Sequence, residues 1–251
     1  MKSSFSYRMI ASMIMISLTV FAFGKKGKPV VVKTTVIDGV EVLYREAGKQ
    51  SAPTLVLLHG ERASSEIFVP LMQQLSERYH LIAPDYPNYD RYGQPHSYSY
   101  DQMAAMMSAF IGRMSEKVFS LYMVDHGADI GFRIAAGQPE RVGSLIIQNG
   151  NAYPEGIQAG MSPSESTILP KPQVNPMAEY GVWQTYFRRH QPPTLVLWAK
   201  DEPMYDEMGA HAFHKDLKNM DMYVYEAGPW MLETNATDLA NRVNRFLLDN
   251  K

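Results

Sequence analysis

The sequence of 251 residues contains no cysteine, which excludes several kinds of chemistry at once. This absence excludes disulfide bonds, cysteine–zinc sites, thiol catalysis and cysteine-linked lipids. It does not indicate the redox compartment. A strong charge is also missing, because 24 basic and 26 acidic residues give a formal net charge of -2. Without a basic surface, nucleic acid is not an expected partner. The seven histidines show no paired spacing and no cluster with acidic residues, so we predict neither a metal site nor a cofactor.

A segment near the N-terminus contains no charged residue. An apolar run of 15 residues, Met9 to Phe23, follows two basic residues and ends in small residues at Gly24. The run is short for a membrane span, and this layout is typical of a secretory signal. We therefore predict a signal peptide at residues 1–24 and a secreted or periplasmic protein. The alternative is an uncleaved segment that anchors the chain, and only then would a membrane be a partner.

Short apolar runs alternate with amphipathic segments along residues 25–251. The hairpin signal Asp38-Gly39 separates residues 30–37 from residues 40–45. Further strands are predicted at residues 54–58, 80–84, 119–124, 144–148, 194–198 and 222–225. This alternation indicates an α/β protein with a mostly parallel, doubly wound sheet of about eight strands and helices on both faces. Residues 154–191 interrupt the pattern, and we predict a reduced lid insertion there.

The most informative stretch is LYMVDHGADIGFRIA at residues 121–135. A strand runs into Asp125, a sharp turn follows, and an apolar-periodic helix begins. Gly127 permits the tight turn, and Gly131 lets the helix approach the sheet closely. This geometry usually presents a serine, whereas here it presents a carboxylate. An aspartate can attack carbon and form an ester, which a histidine elsewhere would help to hydrolyse.

Polar residues follow four of the predicted strands. They are residues 59–61, residues 125–126, residues 201–202 and the segment after Tyr225. In an open parallel sheet, ligands bind beyond the carboxyl ends of the strands. The sequence therefore predicts a single site at this edge of the sheet.

These segments resemble the α/β-hydrolase fold, on the branch that contains epoxide hydrolases and haloalkane dehalogenases. The matching segments are LVLLHG (55–60), YHLIAPDYP (79–87), LYMVDHGADIGFRIAAGQPERVGSLIIQNGNAY (121–153), QPPTLVLWAKDEP (191–203) and AGPWMLET (227–234). The resemblance implies that Asp125 is the nucleophile. It also implies an oxyanion hole built from the backbone N–H groups of Glu61 and His126, next to the turn formed by His59 and Gly60.

The resemblance also implies an acid and a histidine, and the chain departs from the family at the histidine. The acid falls on Glu202, with Asp201 as an alternative. The histidine position falls on Pro229, which can neither accept nor give a proton, and Trp230 beside it is assigned to the pocket. Because of its place next to the nucleophile, His126 is a candidate for a base-like role, the other reading being a pocket-lining histidine.

Two further departures bear on the substrate. A dehalogenase often holds its halide with an Asn and a Trp where this chain has Glu61 and His126, and a carboxylate would repel a departing anion. Epoxide hydrolases polarise the epoxide oxygen with tyrosines of the lid, for which Tyr180 and Tyr186 are candidates, unless they only pack. We therefore expect a hydrolase that forms an ester between Asp125 and a small apolar electrophile. The alternative is a pseudo-hydrolase that binds or senses a small apolar molecule, and the sequence does not indicate an oligomeric state.

Overall fold

An eight-stranded sheet organises the part of the chain that the computed structural model describes, which is residues 29–60, 63–87, 98–157 and 176–250. The predicted signal segment, Glu61 and much of the predicted lid lie outside these residues. The strands are β1 (Val31–Ile37), β2 (Val40–Ala47), β3 (Thr54–Leu58), β4 (His80–Pro84), β5 (Phe119–Val124), β6 (Val142–Gln148), β7 (Thr194–Ala199) and β8 (Met220–Tyr225). The α-helices are α1 (Val69–Leu75), α2 (Tyr100–Met114), α3 (Gly127–Gly137), α4 (Pro176–His190), α5 (Met208–Ala212), α6 (Met231–Thr234) and α7 (Ala236–Asp249).

The strand order is β1-β2-β4-β3-β5-β6-β7-β8. The first two strands form an antiparallel hairpin, β2 runs antiparallel to β4, and all remaining pairs are parallel. The hairpin turns at Asp38 (φ 48°) and Gly39 (φ 82°), which are left-handed conformations that this residue pair favours. The predicted mostly parallel sheet of the α/β-hydrolase fold is confirmed.

Two apolar layers enclose the sheet, one on each face. The central strand β3 is buried along its whole length. Its alternate side chains enter different layers, with Val56 and Leu58 on one face and Leu55 and Leu57 on the other. Strands buried on both faces lose the polar alternation of an exposed sheet, which explains the continuous apolar runs in the sequence.

The helices divide between these two faces. The first layer contains buried side chains of α2, α3, α4 and α5, and the second contains those of α1, α6 and α7. Helix α4 occupies the second part of the predicted insertion and packs Trp183 and Phe187 against Phe132 of α3. Within the described residues, no helix has the length and apolar character that crossing a membrane requires.

Candidate active site at the carboxyl ends of the strands

Asp125 sits at the tip of the turn that joins β5 to α3. Its φ of 51° is a left-handed conformation that only a few non-glycine residues adopt, Asp and Asn among them. Its backbone N–H donates to the carbonyl of Gln148 (2.9 Å), and its own carbonyl accepts from the N–H of Ala128 (2.9 Å). These two bonds fix the turn to β6 and to the first turn of α3, so the strained backbone is held in place.

Three glycines allow this turn to form against the sheet. A Cβ atom on Gly127 would lie 2.4 Å from the carbonyl oxygen of Leu58, and one on Gly131 would lie 2.1 Å from the Sδ atom of Met123. A Cβ atom on Gly60 would lie 2.8 Å from Oδ2 of Asp125. The turn after β3 therefore lies directly against the Asp125 carboxylate, and the two segments meet at one edge of the sheet.

His59 stabilises the turn after β3. Its Nδ1 atom donates to the carbonyl of Gly60 (2.8 Å), and its Nε2 atom accepts from the backbone N–H of Tyr86 (3.4 Å). The Tyr86 ring lies over the imidazole, with 4.0 Å between the ring centroids. Burial lowers the pKa of His59, and the Gly60 carbonyl and the charge of Asp85 offset this only in part. A neutral imidazole bonded through both nitrogens has a structural role.

His126 follows Asp125 and begins α3. Its side chain is buried, and its Nδ1 atom lies 3.0 Å from Oδ2 of Asp129 and 3.1 Å from the hydroxyl of Tyr100. The Tyr205 ring meets the imidazole edge-on at 6.3 Å. Sequence reasoning missed Asp129, although a carboxylate three residues after a histidine on a helix lies on the same face. The contact with Tyr100, from α2, has no local signal in the sequence.

Glu202 lies in the segment after β7, within range of the charge of Asp125. Burial, and then the charge of Asp125, raise its pKa to about 7, while a backbone hydrogen bond from Met204 and the charge of His126 act in the opposite direction. A carboxyl group poised near neutral pH is common at functional sites. The structure therefore brings Glu202 within electrostatic reach of both Asp125 and His126.

Pro229 follows the end of β8, beside the segment that carries Glu202. The backbone N–H of Asp201 donates to the carbonyl of Ala227 (3.0 Å), and a Cβ atom on Gly228 would lie 3.6 Å from the Asp201 carbonyl. Pro229 itself is exposed, and Trp230 is 69% exposed. An exposed Trp230 does not form a buried wall, so its assignment to the pocket stays a prediction.

Two tyrosines lie within electrostatic range of Asp125. Burial raises the pKa of Tyr86 and of Tyr205, and the nearby charge of Asp125 is the next largest cause for both. Of the two predicted lid tyrosines, Tyr180 lies closer to this site. Burial and the charge of Asp129 raise its pKa, and its hydroxyl accepts from Nδ2 of Asn151 (3.2 Å).

Tyr186 has different surroundings from Tyr180. Its ring stacks on His190 at the end of α4, with 5.3 Å between ring centroids, and its buried hydroxyl has no hydrogen-bond partner among the described residues. A role for Tyr186 in polarising an epoxide has no geometric support here and stays a prediction. Within the described ranges, no group of three or more acidic or histidine side chains is arranged to hold a metal ion.

Comparison with known proteins identifies the family. The sequence profile described as alpha/beta hydrolase fold matches residues 53–176, which include β3, the Asp125 turn and β6. The chain belongs to the α/β-hydrolase superfamily. Its relatives also confirm the resemblance to the branch of the haloalkane dehalogenases and epoxide hydrolases within this superfamily.

Two curated relatives differ in how much of their length is matched. An uncharacterized hydrolase of Saccharomyces cerevisiae is 27% identical, over 87% of this chain and 97% of its own length. A haloalkane dehalogenase of Mycolicibacterium paratuberculosis is 32% identical, over 43% of this chain and 37% of its own length. The similarity to that dehalogenase thus spans little more than a third of it.

Solved structures share the fold of this superfamily member at low identity. The haloalkane dehalogenase DbeA of Bradyrhizobium elkani aligns with a TM-score of 0.73 and 18% identity, over 88% of this chain and 98% of that chain. A bacterial membrane phospholipase A aligns with a TM-score of 0.71 and 19% identity, over 87% of this chain and 86% of that chain. Because these enzymes differ in chemistry, the shared fold does not choose among reactions.

Proposed function

We propose that Asp125 attacks a small apolar electrophile and holds it as a covalent ester. The observation that carries this proposal is the strained turn at Asp125, which lies at the carboxyl ends of the strands with Gly60 packed against its carboxylate. A left-handed aspartate is retained where the surrounding structure enforces it, and such positions cluster at active sites. An aspartate in this turn is an oxygen nucleophile without needing a base to activate it.

The surroundings of Asp125 favour a carbon electrophile of low polarity. The rings of Tyr86 and Tyr205 are near enough for the charge of Asp125 to affect their pKa values; Tyr205 is buried and Tyr86 partly buried. Aromatic walls with few polar groups are typical of pockets for small apolar ligands. Attack of one carboxylate oxygen on such a ligand forms the ester bond and breaks a carbon–oxygen bond, whose oxygen stays on the ligand, or a carbon–halogen bond, whose halide leaves.

Pro229 bears on what happens to that ester. In the usual mechanism of the family a histidine at this position activates the water that hydrolyses the ester, and proline carries no proton-transfer group. We therefore propose that the ester on Asp125 is hydrolysed slowly, so that it accumulates. Glu202, whose pKa of about 7 leaves it partly ionised at neutral pH, is an acid within electrostatic range of Asp125.

Intact-mass spectrometry tests the nucleophile directly. The protein is incubated with 1,2-epoxyhexane, with 1-bromohexane and with 1-iodohexane, and peptide mapping locates any adduct. We expect an adduct on the peptide that contains Asp125 and its loss in Asp125→Asn. Asparagine is the matched control, because it keeps the size of the side chain and tolerates the left-handed backbone. An adduct that persists in a folded Asp125→Asn protein would contradict the proposal.

A second candidate function is a relative that binds or senses its ligand without turnover. Pro229 is the specific observation in its favour, since a binding protein does not need the proton-transfer group that is missing. This reading predicts no adduct with any of the three reagents. It also predicts that a non-reactive analogue such as 1-hexanol raises the melting temperature of the wild-type protein.

A further inference from the structure

His126 is held in a geometry suited to proton transfer beside the nucleophile. Its Nδ1 atom faces the Asp129 carboxylate at 3.0 Å and the Tyr100 hydroxyl at 3.1 Å, and its Nε2 atom is shielded from solvent. A carboxylate on one ring nitrogen fixes the proton there and orients the ring, as in catalytic triads. The same carboxylate stabilises the imidazolium, whose second proton then resides on Nε2.

The imidazole lies among the groups that surround Asp125. Tyr205 meets its edge, and the charge of His126 acts on Glu202, the same carboxyl group whose pKa the charge of Asp125 raises. His126 and Asp125 are also neighbours in the chain, at the start of α3. These contacts place the ring close to the same carboxyl group that Asp125 affects.

The charged groups that face His126 come from three directions. Asp129 lies on its own helix, Glu202 follows β7, and Asp125 follows β5, so carboxyl groups predominate. A cation also lies in this region: Arg133 donates to the backbone carbonyl of Asp129 (2.9 Å) and lies over the Tyr100 ring at 5.4 Å. An excess of carboxylates around an imidazole favours its protonated form.

The tyrosines near the site are less suited to giving up a proton. Burial raises the pKa of Tyr180 and of Tyr205, and the carboxylates nearby raise both further. A phenol with a raised pKa is a weaker acid than a free phenol, so it transfers its proton to a ligand less readily. Neither tyrosine is therefore well suited to protonate a ligand bound at Asp125.

We propose that His126, held by Asp129, donates a proton to the ring oxygen of an epoxide while Asp125 attacks its carbon. This inference rests on the proposed function and names the substrate class, an epoxide rather than a haloalkane. One oxygen of Asp125 bonds to carbon, the epoxide C–O bond breaks, and its electron pair stays on the oxygen. That oxygen takes the proton from Nε2 and becomes a hydroxyl, which leaves a neutral imidazole with its remaining proton facing Asp129. In this step His126 is a catalytic acid, and Asp129 is a positioning residue.

A comparison of two leaving groups measures how much this proton transfer contributes to the rate. The rates of adduct formation with 1,2-epoxyhexane and with 1-bromohexane are measured by intact mass for wild-type protein and variants. Bromide leaves without a proton, whereas the epoxide oxygen needs one. General acid catalysis commonly contributes about 100-fold or more, so we expect His126→Gln to lower the epoxide-to-bromide rate ratio by about that factor. A fault in folding or in ligand access would lower both rates and leave the ratio unchanged.

The dependence of the adduct-formation rate on pH is a second test of His126 as the acid. In the wild type, epoxide adduct formation should slow as the pH rises and His126 loses its proton, while the bromide reaction should show no such fall. Asp129→Asn should move this fall to lower pH, because losing the carboxylate destabilises the imidazolium. His211, an exposed histidine 3.4 Å from Glu207 on the surface, is the matched control, and His211→Gln should leave the ratio and the profile unchanged.

Three results would overturn the inference, and one of them would also refute the proposed function. An unchanged rate ratio in His126→Gln would refute the role of His126 as an acid. A fall at high pH that disappears in Glu202→Gln but persists in His126→Gln would assign the proton to Glu202. No adduct with either reagent in the wild type would refute the proposed function itself, whereas adducts with both keep that function and test His126 alone.

Discussion

Replacing Gly127 with alanine should unfold the protein more readily, because α3 starts in direct contact with the backbone of β3. The added Cβ would lie 2.4 Å from the carbonyl oxygen of Leu58 and 2.7 Å from that of His59. The first distance is about 1 Å shorter than ordinary van der Waals contact. Both neighbours are backbone atoms at the end of a fully buried strand, so no side-chain rotation can relieve the overlap.

The size of the effect follows from two opposing contributions. Overpacking of a tight interior costs about 1–3 kcal/mol, and a clash with backbone belongs near the upper end. Alanine gains about 0.5–1 kcal/mol over glycine in a helix, which offsets part of this cost. We expect a net loss of about 2 kcal/mol in the free energy of unfolding, equivalent to a fall of about 4–8 °C in melting temperature for a chain of this length.

Urea denaturation of Gly127→Ala against Gly137→Ala is the appropriate assay. Gly137 ends the same helix, and a Cβ added there would meet no atom within 4 Å. We therefore expect Gly137→Ala to be neutral or to stabilise the protein by up to about 1 kcal/mol. If both variants unfold within about 0.5 kcal/mol of each other, which is the usual range for innocuous substitutions, the close approach of α3 to β3 is refuted.

Three other substitutions test two buried or partly buried carboxyl groups and the role of Pro229. Burial alone would raise the pKa of Glu46, but hydrogen bonds from Lys33 and His80 lower it from 4.5. Glu46→Gln should therefore cost about 2 kcal/mol in urea denaturation at pH 7, a loss that disappears as acid protonates Glu46 through its lowered pKa. For Glu202, burial and then Asp125 raise the pKa to about 7, so ionisation costs stability as the pH rises above 4.5. Glu202→Gln should stabilise the protein by about 1 kcal/mol in thermal melts at pH 8 but not at pH 4, less than the full shift because the residue is only partly buried. Pro229→His should shorten the lifetime of the Asp125 ester by at least about 10-fold in intact-mass measurements, and Pro229→Gln should not.

The central strands were predictable because a strand buried on both faces has a continuous apolar sequence. Strands β3 and β4 were predicted at their observed bounds, since both are apolar along their whole length. Strand β8, at the edge of the sheet, begins at Met220 rather than Met222. Its side chains are half-buried or exposed, and such a strand carries a weaker apolar signal than a central one.

The site was predictable where one segment forms it and not where distant helices contribute. Asp125 and the turn at Gly60 were expected to meet, because the carboxyl ends of neighbouring parallel strands share an edge. The contact of Tyr100 with His126 joins residues 26 positions apart on separate helices, and only the packing of α2 on α3 brings it about. No periodicity within either helix specifies that pair.

The electrostatics of Glu202 bear on the proposed absence of a histidine at Pro229. A histidine after β8 would form a cation close to two carboxyl groups, and a nearby cation lowers the pKa of a carboxyl group. With Pro229 at that position, burial and the charge of Asp125 prevail and the pKa of Glu202 rises to about 7. The imidazole of His126, paired with Asp129, lies at the start of α3, next to Asp125 in the chain. The proton-transfer capacity of this site is thus concentrated beside the bond that Asp125 would form, which favours the first half of a two-step hydrolysis over the second.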